Sequence, residues 1–396
     1  MDYNLSKKGL EISPSVTLEI TAKAKEMKSK GIDVISFGAG EPDFNTPENI
    51  RKEGIRAIES GLTNYTPASG ITELKEAVCA KFKKDNNLEY GPENIVISNG
   101  AKHSIFNALM AILNPGDEVI IGIPYWVSYP ELIKIAGGKP VYIKTIEENE
   151  FKFSVEDLEK VKTSNTKAII LNSPSNPTGS IYNRKELEEI AEWAVKNNIF
   201  VISDEIYEKL VYESEHVSIA SLNEDIKKLS IVINGMSKAY AMTGWRIGFL
   251  AANKDITKVI SNIQSHTTSN PCSISQYASV AGLIGNQNEV EEMKEQFKKR
   301  RDYMADTINS ISGLSCKKPK GAFYIMVNIK ELKGKVIKGV KINSSLDLAR
   351  VLLDEGKVAV IPGIGFGDDD YFRLSYATSM ENIEEGLRRI KMVVEG

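Results

Sequence analysis

The runs NIVIS (94–98), EVIIG (118–122), PVYI (140–143), KAIIL (167–171), IFVIS (199–203) and LSIVI (229–233) decide the fold. Each is a short stretch rich in β-branched residues, and helical patterns such as KELEEIAEWAVKNN (185–198) lie between them. Strands that alternate with crossover helices form a largely parallel sheet, because each helix carries the chain back to the edge where the next strand starts. Ligands bind such sheets in the crevice beyond the carboxyl ends of the strands, so the residues that follow these runs are the first candidates for chemistry.

The texture changes after about residue 290. A long charged helical stretch, EVEEMKEQFKKRRDYMADTINSI (289–311), leads into strand-like segments around GAFYIMV (321–327), VAVIP (358–362) and YFRLSYA (371–377), then a closing helix. This predicts a smaller α+β domain over 291–396, a large domain over 46–290, and an N-terminal segment, 1–45, that packs with the small domain. A length of 396 residues suits two domains and a deep site.

A formal charge of −3 gives no field that would draw the chain to nucleic acid or to an anionic membrane. No apolar run is long enough to span a bilayer. Cys79, Cys272 and Cys316 are scattered, with no CxxC pair, which argues against a disulfide framework or a thiolate zinc site. With only His103, His216 and His266 and no spaced ligand cluster, no metal site is expected. The cytoplasm is the expected compartment.

Four constellations follow predicted strands. INGMSKAYAMTGWRIG (233–248) places Ser237, Lys238 and Arg246 together. A lysine that forms an imine must lose its proton, which burial or a nearby positive charge favours, and an arginine supplies both that charge and a fork for phosphate. Taken singly, Lys238 would be an exposed loop lysine and Arg246 a surface ion-pair partner. In FVISDEIYEKL (200–210), Asp204 stands at the end of a buried strand, facing the crevice, with Tyr207 shortly after; its plainer role is a helix cap or salt bridge.

IILNSPSNPTG (169–179) runs into a turn where Asn176 precedes Pro177, with Asn172 a weaker candidate on the same loop. ISNGAKHSIFNALMAIL (97–113) passes through Gly100, Ala101 and Lys102 into a helix whose free amides can face a phosphate. Nearby, IPYWVSYPE (123–131) offers Trp126 as a plane for a heteroaromatic ring, or as a core residue. Toward the C-terminus, YFRLSYATS (371–379) puts Arg373 inside an apolar strand, where a charge needs a partner: a substrate carboxylate or a buried acidic side chain.

Together SKAYAMTGWRIG, SDEIY, NSPSNPTG, NGAKHS, PYWVSYPE, AGEPDF and FRLSYATS closely resemble the class I aminotransferases among the fold type I pyridoxal-phosphate enzymes, and NYTPASGITELKEA (64–77) is similar to a segment of the bacterial aspartate aminotransferase branch. The resemblance implies an α/β fold, with a mostly parallel seven-stranded sheet flanked by helices and a smaller α+β domain. It implies pyridoxal 5'-phosphate held as a Schiff base on Lys238, with Asp204 against the ring nitrogen, Asn176 and Tyr207 on the ring hydroxyl, and Trp126 stacked on the ring. The phosphate would meet the Gly100–Lys102 turn, Ser237, Arg246, and Tyr65 reaching across a homodimer with shared active sites.

By the same resemblance Arg373, Asn176 and the Gly40 backbone receive the substrate α-carboxylate, and Lys102, with Ser15 and Thr17, the distal one. The expected reaction moves the amino group of L-aspartate to 2-oxoglutarate by a ping-pong exchange of amino acid and 2-oxo acid. Broader, aromatic, alanine-type or prephenate specificity, a carbon–sulfur lyase and a non-catalytic regulator remain alternatives. Two stretches stand apart: Gly235 occupies a position where many relatives carry serine, and TTSNPCS (267–273) has no interpretable role.

Overall fold

The computed structural model describes residues 4–14 and 16–396, without the side chains of residues 16–19 and 21. All six runs are strands: β1 Ile95–Ser98, β2 Glu118–Ile123, β3 Lys139–Lys144, β4 Thr166–Asn172, β5 Phe200–Asp204 and β6 Ser230–Gly235. A seventh, β7 Gly248–Ala251, completes one sheet in the order β1-β7-β6-β5-β4-β2-β3. Pairings from β6 through β3 are parallel, whereas β7 runs antiparallel to both β1 and β6.

Burial on both faces explains the nearly continuous apolar runs. In β4, Ala168 and Ile170 pack with Ile105 and Leu109 of the helix Ala101–Ile112. Their neighbours Ile169 and Leu171 pack on the other face against Leu187, Ile190 and Ala194 of the helix Arg184–Asn197. In β5 the alternation continues, with Ile202 on the first face and Val201 on the second.

The C-terminal region holds a three-stranded antiparallel sheet made of β8 Tyr324–Asn328, β9 Ile361–Pro362 and β10 Tyr371–Ser375, in the order β9-β10-β8. Its core joins Phe323, Ile325, Phe372 and Leu374 to Phe297 and Met304 of the helix Asn288–Ile308 and to Leu348 and Leu352 of the helix Ser345–Gly356. The period of two that buries Phe372 and Leu374 there turns Arg373 to the opposite face. The boundary expected at 290/291 falls in the first turn of Asn288–Ile308. Ile35–Ser36 pairs in parallel with Val358–Ala359, and Ala24 and Val34 share a small apolar cluster with Leu353 and Ala359. Among the described residues, no helix is long and apolar enough to cross a membrane.

Candidate active site

Strand register assembles the site. Asn172 at the end of β4 lies beside Asp204 at the end of β5, which in turn lies beside Ile233 of β6. The chain leaves β6 through Ser237 and Lys238. Because β7 is antiparallel, its first residue, Gly248, sits between Gly235 and Ser98, the last residues of β6 and β1. A Cβ on Gly248 would fall 2.2 Å from the Ala101 nitrogen and 2.3 Å from the Gly100 carbonyl carbon, so only glycine lets the turn into the helix Ala101–Ile112 come this close. Gly100 has φ of 88°, and no side chain caps the helix, leaving its first amides for a ligand. A Cβ on Gly235 would stand 2.9 Å from Gly248 Cα, so the backbone of the two strands is close-packed here.

Beyond these strand ends lies a cavity of about 650 Å³ walled by Gly40, Ala101, Lys102, Trp126, Asn172, Asn176, Asp204, Tyr207, Ser237, Lys238, Arg246 and Arg373. The motifs read from the sequence thus converge. Gly100 stands just behind the wall as the helix cap. Tyr65 is 91% exposed and takes no part in this chain's own cavity. Ser15 and the Thr17 side chain lie outside the described residues, and Ser269 and Asn270 are not on the wall.

The electrostatics are uncommon. Asp204 is buried, accepting from the Tyr129 hydroxyl at 2.7 Å and from the Ile206 amide at 3.3 Å. Burial pushes its carboxyl up to about 6, against the pull of those two donors. Lys238 donates from Nζ to the Gly40 carbonyl and stands 5.9 Å and 5.7 Å from the rings of Tyr207 and Phe323. Burial, with Arg373 and Arg246 nearby, lowers its ammonium to about 8.

Arg373 is 2% exposed; Nη1 donates to Asn176 Oδ1 at 3.0 Å and Nη2 to the Gly38 carbonyl at 3.1 Å, while Nε is buried without a partner. Its guanidinium lies 4.3 Å from the Tyr324 ring. Among the described residues it has no carboxylate partner, so the buried ion pair weighed for it is absent. Burial accordingly lowers its pKa.

Tyr207 shares a 3.0 Å hydroxyl–hydroxyl contact with Tyr324. Asn172 uses its side chain structurally, accepting from the Asn176 amide at 2.8 Å and donating to the Asp204 carbonyl at 2.9 Å. Trp126 packs edge-on against Tyr129, and Lys102 lies 5.0 Å over its ring. Arg246 has φ of 59° and reaches the carbonyls of Thr243 and Asn99. Sequence reading missed Tyr129 and Tyr324, since nothing local marks a tyrosine that meets its partner across the fold.

Glu205, Glu208 and His216 also come together, although their spacing does not suggest it. Their atoms are largely satisfied within the chain: Glu205 binds His216, Ser203 and Ser218, and Glu208 binds Lys81 and Asn86. This is a buried polar network that braces the segment carrying Asp204 and Tyr207.

A sequence model of the family described as aminotransferase class I and II matches residues 32–390. An aspartate aminotransferase of Bacillus sp. (strain YM-2) is 51% identical over 385 residues, 97% of each chain. A protein of Aquifex aeolicus described as a probable aspartate/prephenate aminotransferase is 45% identical over the full length of both. The crystal structure of the Rhizobium meliloti aspartate aminotransferase superimposes with a TM-score of 0.96 at 41% identity, covering 100% of this chain and 99% of that one. Sequence, fold and site geometry agree, and the chain belongs to the class I and II aminotransferases.

Proposed function

We propose that this chain is a pyridoxal-5'-phosphate-dependent aminotransferase that moves the amino group of L-aspartate to 2-oxoglutarate, forming oxaloacetate and L-glutamate. The observation that carries the reading is a trio of charges on one cavity wall, Asp204, Lys238 and Arg373, none with an ion-pair partner among the described residues. Charges left this way cost stability and mark a site built for ligands.

The residues present fit the cofactor. Gly248 opens a cradle at the Ala101 and Lys102 amides for a phosphate, which Ser237 and Arg246 flank. With the cofactor bound, Asp204 would serve the ring nitrogen and favour its protonated form, Tyr207 and Asn176 the ring hydroxyl, Trp126 the ring face, and Lys238 would be the covalent tether. Bound there, the cofactor supplies an aldehyde for amino-group exchange and a protonated ring that draws electrons from the substrate Cα.

The chain's own residues do the rest. Arg373 and Asn176 clamp the α-carboxylate, with the Gly40 backbone closing that end, and so orient the bond from Cα to its hydrogen. Lys238 Nζ, once displaced, is the base that takes this proton. In the cofactor-free chain its ammonium is lowered to about 8, so that about a tenth is neutral at pH 7 against about 0.03% for an ordinary lysine, and the same burial favours the neutral amine that a base must be. Lys102 receives the distal carboxylate and favours dicarboxylic substrates.

We further infer the division 1–45, 46–290 and 291–396, a cytoplasmic location, and a homodimer in which Tyr65 enters the partner's site. Its 91% exposure supports that last role. The test is the visible absorbance of the purified protein before and after aspartate, with Lys238→Ala as control, followed by product analysis with 2-oxoglutarate. A cofactor-replete protein without a chromophore, or one yielding no oxaloacetate and glutamate, overturns the reading; release of ammonia and a thiol from a cysteine-type substrate would point to a lyase.

A further inference from the structure

The cavity wall carries more positive charge than the proposed reaction accounts for. Six cationic side chains and two carboxylates, Glu41 and Asp204, line it, in a chain whose net charge is −3. Lys102, Lys238, Arg246 and Arg373 have the roles given above. Lys25 and Lys28, on the helix Val16–Ser29, have none.

These two lysines differ from the others on their helix. Lys30 pairs with Glu26, and Lys23 lies 4.0 Å from Asp354. Lys25 has Thr21, Ala22, Lys28 and Ser29 at its three- and four-residue neighbours; Lys28 has Ala24, Lys25, Gly31 and Ile32. No carboxylate stands where a helix would place one to neutralise either, and two like charges one turn apart cost the helix a few tenths of a kcal/mol. Among the described residues neither makes an ion pair. Ala24, next to Lys25 and one turn before Lys28, is 2% exposed and also lines the cavity, so this face of the helix forms part of the wall.

We propose that Lys25 and Lys28 form a landing pair for dicarboxylate substrates. They hold the second carboxylate at the cleft mouth by charge alone and raise the local concentration of dianions over monoanionic amino and 2-oxo acids. A low-dielectric cleft with one sign of charge focuses its field and speeds capture of the opposite charge. Exposed ammonium groups hold such an anion loosely, so they act on capture and leave the chemical step alone. This inference rests on the reading of the cavity as a dicarboxylate site.

The test compares holoenzyme with K25Q/K28Q and K25E/K28E, using K23Q/K30Q as a control for charge elsewhere on the helix. Succinate, which binds without reacting, is titrated by calorimetry at low and high salt, and kcat/KM is measured for aspartate and for alanine. At low salt the neutral pair should weaken succinate and lower kcat/KM for aspartate by about three- to tenfold, the reversed pair by more, with kcat and the alanine value within twofold. At about 1 M salt, where screening acts over ~3 Å, the difference should close. A loss that is equal for alanine, a loss insensitive to salt, a matching loss in K23Q/K30Q, or no change in succinate affinity overturns the proposal while leaving the aminotransferase reading intact. A wild-type protein that binds no succinate and transaminates no aspartate overturns both.

Discussion

The hydroxyl of Tyr129 lies 2.7 Å from Oδ2 of Asp204, 75 residues further along the chain, and both groups are buried. Apart from the Ile206 amide, this phenol is the donor that keeps the carboxylate ionised against its burial. Losing a hydrogen bond to a buried charge costs about 1.5–3 kcal/mol. Tyr129→Phe should therefore raise the Asp204 pKa by about one to two units and move the acid limb of the kcat–pH profile upward. A profile superimposable on wild type would separate Tyr129 from Asp204.

Arg373 predicts a divergence between stability and activity. Arg373→Met removes a buried guanidinium that has no counter-ion among the described residues, along with the proposed bidentate receptor for the α-carboxylate. The substrate loses a charge-assisted pair worth about 2–5 kcal/mol, so kcat/KM should fall by about 30- to 5000-fold. Thermal unfolding of the cofactor-free variant should come no lower than wild type. A large drop in midpoint would mean that the hydrogen bonds to Asn176 and Gly38 serve the fold instead.

Lys238 gives a pH dependence with a definite sign. The cofactor-free fold lowers its ammonium from the ordinary 10.5 to about 8. The folded state thus binds this proton less tightly than the unfolded chain, at a cost of roughly 3 kcal/mol that is full below pH 8 and fades as pH rises toward 10.5. Lys238→Met should stabilise the cofactor-free protein to denaturant at pH 7, with the gain shrinking above pH 8.

Gly248→Ala should damage the phosphate cradle. Its Cβ would meet backbone atoms of Gly100 and Ala101 at 2.2–2.3 Å, which can yield only by shifting the start of the helix. A destabilisation of about 1–3 kcal/mol should accompany weaker cofactor retention, measured by the absorbance left after dialysis. Full retention would show that the turn has more slack than its packing implies.

Behind the site, Lys81 and Glu208 form a buried ion pair with side chains 5% exposed. Burial works to raise Glu208, yet the charges of Lys81 and His216 and the Asn86 amide overcome it and hold the carboxyl at about 2. Its contribution is present above pH 4.5 and lost as pH falls toward 2. Lys81→Met leaves the carboxylate uncompensated and should cost about 3–5 kcal/mol, much of it recovered in K81M/E208L. Chemical denaturation of the single and double variants checks this.

The six strands were legible because burial on both faces demands unbroken apolar runs. β7 was not among those runs: it has four residues and follows a catalytic-looking loop with no crossover helix before it. Asp204 and Arg373 were legible as charged residues at the end of or inside apolar strands, an arrangement costly without a purpose, and Lys238 and Asn176 through the motifs in the loops that follow such strands. The amino-acid sequence by itself determined the α/β alternation, the family resemblance and these anomalous residues, since hydrophobic period and local chain chemistry act over neighbours. The tertiary structure alone decided which charges go unpaired, that Tyr129 serves Asp204, and that Lys25 and Lys28 face the cavity. Those are distances between segments far apart in the chain, fixed by strand register and packing, and no local pattern records them.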